Sequence, residues 1–291
     1  MARCLVTGHK GYIGTKLVEE LERQGHEVVG IDLQDGKDVI LELQEHTDGG
    51  FHPHYVNFKP EYLFHLACIP RVAYSVEQPV ETMQNNVLAT SVALNFARKN
   101  GVKRFVYSSS SSVRGNGNGP VSPYALQKYT SELEVGMYSA LYGTMDTVSL
   151  RYFNVYSHDQ QASGPYATAV AAYMRAVREG TTPHITGDGE QRRDMSHVLD
   201  IVSANIFAME HTKDFSGQHF DVGTGSNISL NQIKNIVQKH HPSVEFEYVE
   251  DRAGDVRNTK ANMVPLMELG WTPSWNINDG IEDCFERTRV G

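Results

Sequence analysis

The stretch Arg3–Gly14, RCLVTGHKGYIG, decides the fold. Its first half is a short apolar run that reads as a buried strand. Ile13, Leu17, Val18 and Leu21 then recur at helical spacing until Gly25 stops the helix. A second apolar run, EVVGID (27–32), follows at once, so the order is strand, helix, strand, the signature of a β-α-β unit and a parallel sheet. Between the first strand and the helix, Gly8, Gly11 and Gly14 are spaced GxxGxxG. Without side chains there, backbone N–H groups and the helix N-terminus can approach a pyrophosphate. Glycine turns also join ordinary strand-helix pairs, so the acid at the end of the second strand matters. The Asp32 carboxylate can accept both hydroxyls of an adenosine ribose and would repel a 2′-phosphate, which favours NAD over NADP.

Outward from this unit the alternation continues. EYLFHLAC (61–68), KRFVYSS (103–109) and TVSLRYFNVY (147–156) read as strands, separated by helical patterns over 81–100 and Pro123–Tyr142. Over 35–59, Gly, His and Pro break the pattern, and only a short helix over 40–45 is expected. Beyond Asn154, loops rich in Gly, Pro, His and Asp separate shorter elements, among them a helix opened by the capping-box pair Ser229 and Gln232. A helix over 198–211 and a strand near Phe220 are expected to return to the main sheet. The fold class is therefore α/β: a Rossmann-type doubly wound parallel sheet over 1–154, with a smaller lobe over 155–291 from which about 197–222 rejoins the sheet.

Composition excludes several classes of partner. A formal charge of -9 gives no general attraction to nucleic acid or an anionic membrane, so an anionic ligand needs a local group of cations or backbone N–H donors. Three cysteines, Cys4, Cys68 and Cys284, lie far apart without CxxC spacing, which fits a reducing cytoplasm rather than a disulfide framework. The thirteen histidines include the close pairs His52/His54 and His240/His241, but neither has a carboxylate or cysteine at ligand spacing, and no metal is expected. The start of the chain lacks the apolar run of a signal peptide, and nothing approaches the roughly 20 residues of a membrane span.

The chemistry lies in YSSSSSVRGNGNGPVSPYALQKY, 107–129. Tyr124 and Lys128 are four apart and share one helix face. A lysine cation beside a phenol favours the phenolate, giving a general base for oxidation of an alcohol, and a serine at the preceding strand end can hold the substrate oxygen.

Taken in order, TGHKGYIG, Asp32, LFHLAC, YSSSSSV, SPYALQK, LRYFNVY, GDGEQRRDMSHVLD, FDVGTG and RAGDVRNTKAN resemble the extended short-chain dehydrogenase/reductases of the NAD-dependent epimerase/dehydratase family, and among them the UDP-hexose 4-epimerases. The resemblance implies that Gly8, Gly11, Tyr12, Ile13 and Gly14 hold the pyrophosphate of NAD and Asp32 the adenine ribose. It implies cofactor contacts at Leu33, Leu66, Ala67, Asn85, Ser108, Tyr124, Lys128 and Tyr152. Anchoring on Val113 and Gly115 makes Ser110 the catalytic serine beside Tyr124 and Lys128. For the UDP-sugar it implies Ser110, Tyr124, Asn154, Arg193, Arg252 and Asp255, with Thr259 setting the room around the C2 substituent. A homodimer through helices 81–100 and 124–142 is likewise implied.

The same register puts Ser111 and Ser112 where dehydratases and decarboxylases of this family carry acids, which disfavours those reactions. Three features depart from the family pattern: Arg114 replaces a tyrosine, only fourteen positions separate Ser110 from Tyr124, and 35–59 is short. Two alternatives to a 4-epimerase therefore stay open, another NAD-dependent nucleotide-sugar oxidoreductase or epimerase, and a non-catalytic NAD-binding regulator. A surface ion pair with Asp194 is the plain alternative for Arg193.

Overall fold

The computed structural model describes residues 1–115, 117–160, 168–250 and 257–289. Along the chain run β1 (Arg3–Thr7), α1 (Tyr12–Arg23), β2 (Glu27–Ile31), α2 (Val39–Leu43), α3 (Pro53–Phe58), β3 (Tyr62–His65), α4 (Val72–Glu77), α5 (Pro79–Met83), α6 (Ala89–Lys99), β4 (Arg104–Ser110), α7 (Pro123–Tyr142) and β5 (Asp146–Tyr152). There follow α8 (Ala169–Glu179), β6 (His184–Thr186), β7 (Arg192–Arg193), α9 (Val198–Glu210), β8 (His219–Val222), β9 (Ile228–Ser229), α10 (Leu230–His240), β10 (Glu247–Val249), α11 (Val264–Glu268) and α12 (Ile277–Arg287).

The main sheet has the order β2-β1-β3-β4-β5-β8. β1 pairs in parallel with β2 on one side and β3 on the other, Thr7 lying opposite both Ile31 and His65, and β3 pairs in parallel with β4. The chain thus winds outward from β1 to β2, then crosses back to build the rest of the sheet. That reversal opens a switch point at the carboxyl ends of β1 and β3, the place where doubly wound sheets bind ligands.

Residues 35–59 hold a helix that periodicity did not show. Pro53 looks like a breaker but occupies the first turn of α3, where its missing N–H costs nothing, and the His52 ring accepts the His54 N–H at 3.3 Å. This segment adds no strand, leaving β2 at the end of the sheet order. The helix expected over 81–100 is α5 and α6 joined by a π-helical turn, Gln84–Leu88.

The described residues form two compact units, Met1–Arg151 with Val202–Phe220, and Tyr152–Ile201 with Asp221–Gly291, against the boundaries of 154 and 197–222 read from sequence. In the first, Leu5, Ile31, Leu63, Phe96, Phe105 and Tyr107 belong to one buried cluster. The returning segment is anchored by buried Arg104, whose guanidinium donates to the carbonyls of Ala208, His211 and Lys213 and to Asp146. A cation suits the carbonyl-rich end of α9. In the second unit, Met174, Ile185, Val237, Ile281 and Phe285 form a separate core. The capping box at Ser229 and Gln232 is present. No helix among the described residues is long and apolar enough to cross a membrane.

Candidate active site

The glycine turn is shaped by what its glycines lack. A Cβ on Gly8, whose φ is +74°, would stand 2.7 Å from the Ala67 nitrogen, and one on Gly14 would stand 2.1 Å from the Gly8 carbonyl oxygen. Leu66 and Ala67 are held beside the turn by Thr7, which accepts the Leu66 N–H at its carbonyl (3.0 Å) and the Ala67 N–H at its hydroxyl (3.3 Å). Helix α1 starts from Gly11 with no side-chain cap and no acid in its first turn. No capping side chain or first-turn acid competes for its first N–H groups, and such a helix start suits a pyrophosphate.

Asp32 lies at the opposite lip. Its carboxylate accepts the Lys10 N–H at 3.0 Å and the Gln34 N–H at 2.9 Å, which fixes it against the glycine turn. Leu33 is largely exposed next to it. A second tie was missed in the sequence: His9 Nε2 lies 2.9 Å and Lys10 Nζ 3.9 Å from Asp35. The His9 ring fits only because Gly30 has no side chain, since a Cβ there would fall 2.3 Å from the ring.

The serine run occupies the end of β4 and a 3-10 turn, Ser111–Arg114. Helix α7 begins beside it, capped by Ser122, which accepts the Ala125 N–H, with Pro123 in its first turn. Ser75 takes the Tyr124 N–H at 3.0 Å. Lys128 is buried, donates to the Ser108 carbonyl at 2.6 Å and stands 5.0 Å from the Tyr107 ring centroid. Burial pushes the Tyr124 phenol up to about 12, while the Lys128 charge and a hydrogen bond with Ser110 pull it down and Cys68 raises it. Ser110 Oγ also accepts the N–H of Ser112 at 3.2 Å and its hydroxyl at 2.9 Å. The structure thus brings Ser110, Tyr124 and Lys128 together, a hydroxyl, a phenol and a cation of the kind that can exchange a proton with a bound hydroxyl.

Behind it, His65 bridges the Thr7 hydroxyl (2.7 Å) and the Thr90 hydroxyl (3.0 Å). Burial, and then the Lys128 charge, drives its pKa down to about 3, so this ring is neutral and structural. After Arg114, Gly115 has φ +50°, and a Cβ there would meet the Gly119 carbonyl at 2.0 Å.

Asn85 turns its amide onto the Glu81 carbonyl of its own helix, at 2.9 Å. Its neighbour Asn86, in the π-helical turn, is the buried one. Asn86 accepts the Ile69 N–H at 2.7 Å and donates to Gln127 at 2.8 Å, linking the loop after β3 to α7.

Tyr152, Asn154, Arg193 and Thr259 belong to the second unit. There Asn154, at φ +34°, donates to the Asp194 carbonyl at 2.7 Å, and the Thr259 hydroxyl accepts the Asp194 N–H at 3.2 Å. The Asp194 carboxylate, wholly buried, accepts from the Thr224 N–H and hydroxyl and from the N–H groups of Gly225 and Ala261. Burial raises its pKa against those four bonds. The alternative reading of Arg193 as a surface ion-pair partner of Asp194 does not hold: Asp194 faces inward, and Arg193 donates to the carbonyls of Arg192 and Arg257. Arg252 and Asp255 lie outside the described residues.

Residues 4–223 match the NAD dependent epimerase/dehydratase family. The chain is 33% identical over 309 residues to a UDP-glucose 4-epimerase of Mycolicibacterium smegmatis, covering 98% of this chain and 97% of that one. It is 30% identical over 318 residues to a UDP-N-acetyl-alpha-D-glucosaminuronate decarboxylase of Bacillus cytotoxicus, covering 98% and 97%. Its structure is similar to that of a UDP-N-acetylglucosamine 4-epimerase from Methanobrevibacter ruminantium in complex with UDP-N-acetylmuramic acid, with a TM-score of 0.86, 27% identity and coverage of 98% and 97%. The chain belongs to the NAD-dependent epimerase/dehydratase family, and NAD is its cofactor.

Two substitutions test the fit of the glycine turn and Asp32 to that cofactor. Gly14→Ala should abolish NAD binding, because a methyl group cannot stand 2.1 Å from a carbonyl oxygen. Asp32→Asn should weaken NAD by about tenfold, or about 1.4 kcal/mol, and weaken NADP less. Titration calorimetry of the purified protein reads both; unchanged NAD affinity in either variant would contradict the assignment.

Proposed function

We propose that the protein is an NAD-dependent UDP-hexose 4-epimerase acting through a transient 4-keto sugar. The observation that carries this reading is the assembled Ser110, Tyr124 and Lys128, with Lys128 fixed to the Ser108 carbonyl. When bound, NAD supplies the hydride acceptor for C4 and the donor that returns it. Tyr124 takes the proton of the sugar's 4-hydroxyl, Lys128 stabilises the phenolate that does so, and Ser110 holds and orients the oxygen. The proton returns by the same path when the 4-keto sugar is reduced on its other face. Gly8, Gly11, Tyr12, Ile13, Gly14, Asp32 and Leu33 are assigned to the dinucleotide's phosphates and adenosine. Leu66, Ala67, Asn85, Ser108 and Tyr152 are assigned to the remainder of its site.

Family membership alone does not choose the reaction, since a decarboxylase is nearly as similar as an epimerase. Ser111 and Ser112 make the choice: both lie in the turn after β4, and hydroxyls are poor substitutes for the carboxyl groups that dehydration or decarboxylation would use there. The UDP-sugar is assigned to Ser110, Tyr124, Asn154, Arg193, Arg252, Asp255 and Thr259. Two arginines offset diphosphate charge that the chain's overall acidity would otherwise repel.

The quaternary and cellular readings belong here too. Exposed Leu126, Leu133, Met137 and Leu141 form an apolar stripe along α7, and Val80, Met83 and Leu88 are exposed on the preceding helical segment. A second copy of the chain is the proposed occupant of this surface, giving a homodimer. The three free cysteines suit a reducing cytoplasm.

Purified protein given UDP-galactose or UDP-N-acetylgalactosamine should form the 4-epimers without net NADH, and Tyr124→Phe should abolish this while still binding NAD. Net NADH would favour an oxidoreductase; no turnover of any UDP-sugar would leave only a binding protein. Thr259→Tyr should lose the N-acetylated pair and retain the UDP-glucose pair, read by chromatography of the products; equal loss of both would contradict the pocket assignment. Combined Leu133→Glu and Met137→Lys should convert a dimer to a monomer in light scattering, and an unchanged mass would remove this face from the interface.

A further inference from the structure

The four-residue spacing that joins Tyr124 to Lys128 continues one more step, to Glu132, putting three functional side chains on one stripe of α7. Glu132 sits about 12 Å along the helix from Tyr124, is buried, and is bound on all sides. Arg151 of β5 donates to both its oxygens, Nε at 2.9 Å and Nη2 at 2.5 Å. The hydroxyl of Ser109 donates to it at 2.7 Å, and His219 Nδ1 lies 3.6 Å away.

Ser109 is the residue between the two that govern the catalytic pair. The Ser108 carbonyl receives Lys128, and Ser110 bonds Tyr124. Three successive residues of β4 are therefore tied to three successive turns of α7, and the middle tie ends on a buried ion pair. A buried ion pair is a poor source of stability, because apolar side chains of similar volume often serve as well. Its effect here is on geometry: with Ser109 fixed, the peptide group that carries the Ser108 carbonyl cannot rotate away from Lys128.

We propose that Glu132, paired with Arg151 and acting through Ser109, is a positioning residue for the Tyr124 and Lys128 base. The proposal rests on the epimerase reading and adds to it a role for one of the five serines and for an acid that never touches substrate. Misplacing a catalytic group by a fraction of an ångström lowers turnover steeply without altering substrate binding.

The test is a set of three variants assayed as UDP-sugar epimerases beside the wild type: Ser109→Ala, the paired change Glu132→Leu with Arg151→Met, and all three together. Ser109→Ala, which leaves the ion pair intact, should lower kcat by about tenfold with KM and NAD affinity unchanged. The paired change should lower kcat similarly, and the triple variant should be no worse than the paired one, because the same link has already been cut. A merely structural role predicts losses that multiply, or a loss of NAD affinity together with kcat. Ser109→Ala with kcat within about twofold of wild type overturns the proposal even if the paired variant fails to fold. A wild-type protein that interconverts no UDP-sugar overturns the epimerase reading, and the positioning role with it.

Discussion

The Lys128 cation, buried and held 2.6 Å from the Ser108 carbonyl, is the interaction on which the site depends. Removing an ammonium group from water is expensive, and three features offset that cost here: the carbonyl at the end of β4, the face of Tyr107, and the Tyr124 phenol one helical turn away. The same charge sets the state of its neighbours. It works against the burial that pushes the phenol up, and it adds to the burial that keeps His65 neutral. A charged His65 would place a second cation in the core beneath the switch point. The strand end, the helix and the core histidine are thus consequences of one placement.

The parts of this arrangement that were legible in the sequence are those encoded locally. Strand, glycine turn, helix and Asp32 follow one another within thirty residues, and the Tyr124 and Lys128 spacing is a property of one helix. The capping box at Ser229 and Gln232 was visible for the same reason. What could not be read depends on residues far apart in the chain. Asn86, in the π-helical turn, is buried and neighbouring Asn85 is not, and the partners of Asn86, Ile69 and Gln127, come from the loop after β3 and from α7. The His9 to Asp35 tie exists because Gly30 leaves space on a neighbouring strand. Proline at the start of α3 read as an interruption, although the first turn is where a helix tolerates it. Asp194 offered a surface partner as the plain alternative for Arg193 and is instead a buried acceptor for two segments, Thr224–Gly225 and Ala261.

The serine run divides its work in a way composition alone conceals. Ser108 supplies a carbonyl to Lys128, Ser109 reaches Glu132, and Ser110 meets the phenol. Ser111 and Ser112 open the turn that follows, and in the proposed reading their hydroxyls disfavour loss of water or carbon dioxide. Beyond them Gly115, Gly117 and Gly119 take backbone conformations that only glycine adopts cheaply.

The central claim is that C4 of the sugar is oxidised and reduced again by one bound cofactor while Tyr124 carries only the proton. UDP-glucose deuterated at C4 tests it directly when incubated with the purified protein in ordinary water and followed by NMR and mass spectrometry. The account predicts UDP-galactose that keeps its deuterium at C4. Loss of that label to solvent during turnover, or transfer of the label with accumulation of a 4-keto product, would contradict it.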